Sequence, residues 1–168
     1  MVRLTLASKV QRYSISSFNL VSGASDKLIC RYIDLIRNAI LNADSVYVFR
    51  SYNHLSGAPE CVEFAKNHCC EKLSAIHIDL TKPKRTIKIR SSDQNPIYRL
   101  NLNDPRARKT FMGSFKISIR DFWDHVHHSD EILIDDPLYD QYDFLFERNG
   151  KIMLWTDIHA LDLFEVTL

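Results

Sequence analysis

Two seven-residue runs, YDFLFER and KIMLWTD, flank the dipeptide Asn149-Gly150. Few features of this chain restrict its fold as strongly. Both central residues of a type I′ turn need positive φ, which Asn and Gly tolerate best, so the runs are expected to pair as an antiparallel hairpin. A two-residue turn would set Arg148 opposite Lys151, Phe146 opposite Met153 and Phe144 opposite Trp155. Side chains alternate along a strand, so these residues would share one aromatic, core-facing side. Asp143, Leu145 and Glu147 would take the other side, expected to face solvent.

Similar alternation recurs upstream in RTIKIR, IYRLNL, SFKISI and EILID, which read as further strands. The earlier part of the chain has another rhythm. In SDKLICRYIDLIRNAILNAD the apolar Leu28, Ile29, Tyr32, Ile33, Ile36 and Ile40 recur at three- and four-residue steps, the spacing of a helix with one buried stripe. SVYVF (45–49) reads as a buried strand, and a helix from Pro59 to about residue 73 follows. AIHIDL (75–80) reads as the next strand, so strand, helix and strand suggest a parallel crossover. A short helix is expected over 120–128, and the C-terminal DIHALDLFEV is read as helix. The expected fold is α+β: an N-terminal helix and a βαβ unit joined to a mainly antiparallel sheet that ends in the Asn-Gly hairpin. With 168 residues, 45% hydrophobic and 26% charged, the chain suits one globular domain spanning 1–168.

Charge is unevenly distributed. Residues 82–120 hold eleven Lys/Arg and two Asp/Glu, a net +9, whereas 121–168 hold two and twelve, a net −10. Between Ser129 and Glu147 there are seven acids and no Lys or Arg: Asp130, Glu131, Asp135, Asp136, Asp140, Asp143 and Glu147. Such a run either pairs with the basic stretch, is solvated, or docks onto a basic partner. Leu138 and Tyr139 lie within it as candidate apolar anchors.

Other candidates are weaker. The loop RSYNHLSGA lies between a strand and a helix, a common ligand position in α/β sheets. Arg50, His54 and Ser56 are its candidate catalytic groups, but no phosphate-cradling glycine pattern accompanies them. No second His-x-Ser/Thr pair answers His54-x-Ser56, as a two-histidine phosphoesterase would need. Asp121, His125 and His128 fall at helical spacing, and an i, i+4 pair could share a metal ion. The third residue, about 10 Å along the axis, could not join it. A PD-(D/E)xK nuclease would need Lys two residues after Glu147, where Asn149 stands. The basic stretch lacks the aromatic-basic motif of an RNA-recognition sheet, and the acids nearby disfavour nucleic acid.

The N-terminal residues lack the apolar core of a signal peptide, and no apolar run reaches the roughly 18 residues of a membrane span. The four cysteines (Cys30, Cys61, Cys69 and Cys70) form no C-x-x-C pair, which fits a reducing cytoplasm, and Cys61, Cys69 and Cys70, on the helix from Pro59, are read as buried thiols. The expected function is that of a cytoplasmic, non-enzymatic inhibitor of the immunity or antitoxin kind. It would need no cofactor or metal, and would set an acidic strand face against a basic toxin such as a nuclease. A small hydrolase or transferase built on 50–56, and a nucleic-acid binder built on 82–120, are the alternatives.

Overall fold

The computed structural model describes residues 2–6, 10–14, 24–50, 60–81, 84–91, 96–114, 142–157 and 162–166. Along the chain the elements are β1 (Val2–Leu6), β2 (Val10–Ser14), α1 (Ala24–Asn42), β3 (Ser45–Arg50), α2 (Glu60–His68), β4 (Glu71–Leu73) and β5 (Ala75–Leu80). They continue with β6 (Arg85–Arg90), β7 (Ile97–Asn101), α3 (Pro105–Ser114), β8 (Tyr142–Arg148), β9 (Lys151–Asp157) and β10 (Asp162–Val166). The class is α+β. The strands form one mixed sheet in the order β4-β7-β3-β8-β9-β1-β5-β6, with β10 on β9 and β2 on β10. β1 runs parallel to β5 and to β9, and the other described pairings are antiparallel.

The sheet curls into a ring. β4 lies at one end of the strand order and β5 near the other, yet only Ser74 separates them. Inward positions shift parity here, from Leu73 to Ile76 and Ile78, so one extra residue bends a continuous strand. The circuit is then β4/β5, β7, β3, β8, β9 and β1. Its interior is filled by Leu4, Tyr47, Phe49, Leu73, Ile76, Ile78, Ile97, Leu145 and Ile152, so every strand of the ring contributes. Side chains fill small barrels in this way.

A second cluster covers the outside of β3, β7, β8 and β9. There Val46, Val48, Tyr98, Leu100, Phe144, Phe146 and Leu154 pack under Leu35, Ile36, Ala39 and Ile40 of α1, Ala65 of α2 and Phe111 of α3. β3 is therefore buried on both faces, which is why SVYVF shows no alternation. α1 follows its expected period, with Ile36 1% and Ile40 0% exposed.

α3 forms inside a stretch that charge alone singles out. Asp104 caps it: its carboxylate accepts the Arg106 N–H at 2.9 Å and its carbonyl the Arg108 N–H at 2.9 Å. Pro105 occupies the first turn, where no N–H is needed.

The hairpin turn has positive φ at both Asn149 (53°) and Gly150 (74°). Beyond it the ladder departs from the expected register. Arg148 pairs with Lys151 and Glu147 with Ile152, but Phe146 pairs with Leu154 and Leu145 with Trp155. Met153 is thus an extra, bulged residue. The bulge suits the ring, because it sends Ile152 to the interior and Leu154 to the outer cluster. It also changes the hydrogen bonding beyond it. The fully buried Thr156 hydroxyl accepts the Phe144 N–H at 2.8 Å and lies 3.4 Å from the Phe144 carbonyl, to which it can donate. Thr156→Val keeps the shape and removes the hydroxyl. It is expected to lower unfolding free energy by about 1–3 kcal/mol, the cost of stranding buried polar groups, as read from urea denaturation.

Other expectations are corrected. β5 does not neighbour β3; instead β4 runs parallel to β3 with β7 between them. α2 stops at His68, and 71–73 turn into strand because β7 offers an edge there. The C-terminal segment holds β10, not a helix, since β9 and β2 supply partners on both sides. The strands read from SFKISI and EILID and the helix over 120–128 lie outside the described residues.

Candidate functional site

Two of the nine candidate partner-binding residues are described, and neither faces solvent. Asp143 and Glu147 are each 6% exposed. They share the side of β8 that carries Leu145, and curling turns that side into the barrel interior. The expected solvent face is corrected on that ground. Glu147 has a local role: its carboxylate accepts the Gly150 N–H at 2.8 Å and so ties the turn. Asp130, Glu131, Asp135, Asp136, Leu138, Tyr139 and Asp140 lie outside the described residues, as do His54, Ser56, Asp121, His125 and His128. Arg50 ends β3, opposite Tyr142. Among the described residues no group of three or more His, Cys, Asp or Glu could hold a metal ion.

The fold gathers a polar cluster at one end of the barrel. Cross-strand pairing sets Ser45 opposite Glu147, Tyr47 opposite Arg99, and Arg99 opposite Glu71. The Arg99 guanidinium donates to the Ser45 hydroxyl at 3.4 Å from both Nε and Nη2, and to Glu71 at 3.4 Å from Nη1. It also lies 5.8 Å from the Tyr47 ring centre. The Arg99 carbonyl accepts the Cys70 N–H at 2.9 Å and the Cys70 thiol at 3.3 Å.

Burial pushes the Tyr47 phenol up to about 12; Arg99 opposes the shift, while Glu147, Glu71 and Cys70 add to it. For Arg99, burial acts to lower the pKa, but Tyr47, Cys70, Glu71 and Glu147 outweigh it and leave the value raised. Tyr47 is therefore a neutral phenol beside a fixed cation.

Of this cluster, charge alone had marked only Arg99 and Glu147. A usable signal was Arg99 at the same strand parity as the buried Ile97, since a charge at a core position calls for an acid on a neighbouring strand.

Among the described residues the basic stretch is spread over several places. Arg99 turns into the ring. Arg108 donates at 3.2 Å to the Ala43 carbonyl just beyond α1, and Arg106 and Lys109 are exposed around α3. Lys84, Arg85, Lys88 and Arg90 are exposed at β6, beyond β5. The described ion pairs are Arg3–Asp79 (3.5 Å), Lys66–Glu63 (3.3 Å) and Arg99–Glu71 (3.4 Å). Among the described residues, Lys84, Arg85, Lys88, Arg90, Arg106 and Lys109 form no ion pair.

The thiols differ from expectation too. Cys69 is partly buried against the outer cluster, but Cys70 is exposed, because α2 ends before both. Comparison with protein-family models, with curated proteins and with solved structures returned no match for this chain.

Proposed function

We propose that the chain is a non-enzymatic protein-binding inhibitor of the immunity or antitoxin type, which neutralises a basic toxin such as a nuclease. One observation carries this reading. Among the described residues the exposed Lys84, Arg85, Lys88, Arg90, Arg106 and Lys109 form no ion pair, and the run at 129–147 holds seven acids and no Lys or Arg of its own. An opposing basic surface would relieve the repulsion within that run and speed association. With Asp143 and Glu147 turned inward, docking falls to Asp130, Glu131, Asp135, Asp136 and Asp140. Leu138 and Tyr139 supply apolar contact. Inhibition would be by occlusion: these carboxylates take the Lys and Arg that otherwise hold phosphates. Two free thiols, Cys69 and Cys70, accord with action in a reducing cytoplasm. Among the described residues no helix is long and apolar enough to cross a membrane.

The test is affinity capture on the intact protein, identification of the retained partner, and calorimetry on the purified pair. A basic partner is expected, with affinity falling about tenfold or more when Asp135, Asp136 and Asp140 are changed together to Asn. A partner held equally well by that triple variant would sink the proposal, as would the absence of any basic partner.

A further inference from the structure

β6 reads RTIKIR and keeps its alternation. Ile87 and Ile89 point toward the interior cluster but are only partly buried, while Thr86, Lys88 and Arg90 point outward and are exposed. β6 pairs with β5 on one side, and among the described residues its other edge carries no strand. Alternate residues on that edge therefore present backbone N–H and C=O groups outward.

The charge there is one-sided. Lys84, Arg85, Lys88 and Arg90 are exposed and, among the described residues, form no ion pair. Across the three strands Arg3, His77 and Lys88 occupy one rung without an acid, and His77 Nε2 is buried without a hydrogen-bond partner. The nearby Asp79 is taken, by Arg3 at 3.5 Å and by the Thr86 hydroxyl at 2.6 Å.

Three occupants can be weighed. A second copy of β6 would set Lys and Arg against Lys and Arg, which is destabilising. A single-stranded nucleic acid would want aromatic platforms. The outward face of β1, β5 and β6 offers Arg3, Thr5, Ala75, His77, Asp79, Thr86, Lys88 and Arg90, with no Phe, Tyr or Trp. An extended strand that alternates acids with β-branched apolar residues fits both faces. Its acids would meet Lys88 and Arg90, its apolar side chains would cover Ile87 and Ile89, and its backbone would complete the ladder.

We infer that the β6 edge is a strand-addition site for an acidic, apolar-alternating segment of another protein. The residues of this edge are opposite in charge to the acidic run, and the inference does not depend on the inhibitor reading.

The experiment is fluorescence anisotropy on the full chain with three labelled peptides of equal length. One alternates Glu with Val, one has the same composition in two blocks, and one alternates Lys with Val. The alternating acidic peptide is expected to bind about tenfold or more tightly than either control. The pair Lys88→Glu and Arg90→Glu, both exposed, should keep the wild-type urea midpoint and reverse the preference toward the Lys peptide. Equal binding of alternating and blocked acidic peptides overturns the inference, because charge alone would then explain it. So does the absence of binding, which would leave the basic edge purely protective against pairing. Tight binding of a polythymidylate probe in place of the peptide, lost in the same double variant, overturns it in favour of nucleic acid.

Discussion

Phe146→Ala is expected to remove about 3–5 kcal/mol of stability, a large part of what a domain of this size has to lose. The ring is fully buried on the outer face of the sheet. Pairing places it between Val46 of β3 and Leu154 of β9. It stacks on Phe144 with ring centres 6.5 Å apart, and Phe144 meets Phe111 of α3 edge-on at 6.3 Å. Truncation therefore opens a void beneath the helices, at a point where helix and sheet layers are joined. One wall of the void is the outside of a closed ring and can collapse only in part, which favours the upper end of the range. Urea denaturation with unchanged slope would measure the loss. A drop below about 1 kcal/mol would mean that the two layers are not packed as described.

Alkaline solution should expose a second large effect, centred on Tyr47. Its folded pKa of about 12 lies above the ordinary value of 10. Between these values the unfolded chain gives up the phenolic proton while the native protein holds it. The native state then binds more protons, so unfolding free energy falls as pH rises through that window. The limiting slope is about 1.4 kcal/mol per pH unit, and the whole window is worth on the order of 2–3 kcal/mol. Tyr98 is also shifted upward by burial, against an opposing effect of Lys66, and adds loss of the same sign. Tyr47→Phe should remove the Tyr47 share and leave that of Tyr98. Urea midpoints of both proteins, followed from neutral to strongly alkaline pH, would show wild type falling more steeply. Parallel curves would assign the alkaline loss to other groups.

How much of this was legible beforehand can be judged residue by residue. The stripe ending in Ile36 and Ile40 announced α1, and alternation announced β5 to β9, because both patterns arise from local geometry. The bulge at Met153 was not legible. A uniform two-residue alternation satisfies the hairpin taken alone, and only the need to serve two cores at once makes the extra residue favourable. The same cause hid the burial of Asp143 and Glu147. They look like a solvent face until the sheet curls, and curling depends on the continuous β4–β5 segment pairing with β7 at one end of the strand order and with β1 near the other, contacts between distant parts of the chain. α3 was concealed differently: its Arg and Lys drew attention to charge, although Asp104-Pro105 is a sound helix start. For the proposed docking surface, composition indicated the acidic run, but the inward turn of Asp143 and Glu147 was set by tertiary structure.

The position of β1 has a kinetic consequence. Its Thr5 N–H binds the Gly150 carbonyl at 3.0 Å, while its whole length pairs with β5. A strand made early thus bridges one made midway and a turn made late. The long loops involved must lose their freedom before those contacts return any energy, so closure of the ring belongs to the slow, high-contact-order class of folding events. During synthesis β1 and β5 can meet first as an open pair, with a hydrogen-bonding edge exposed until the Asn-Gly turn emerges. Shielding that waiting edge from wrong partners is then a problem of timing as much as of stability.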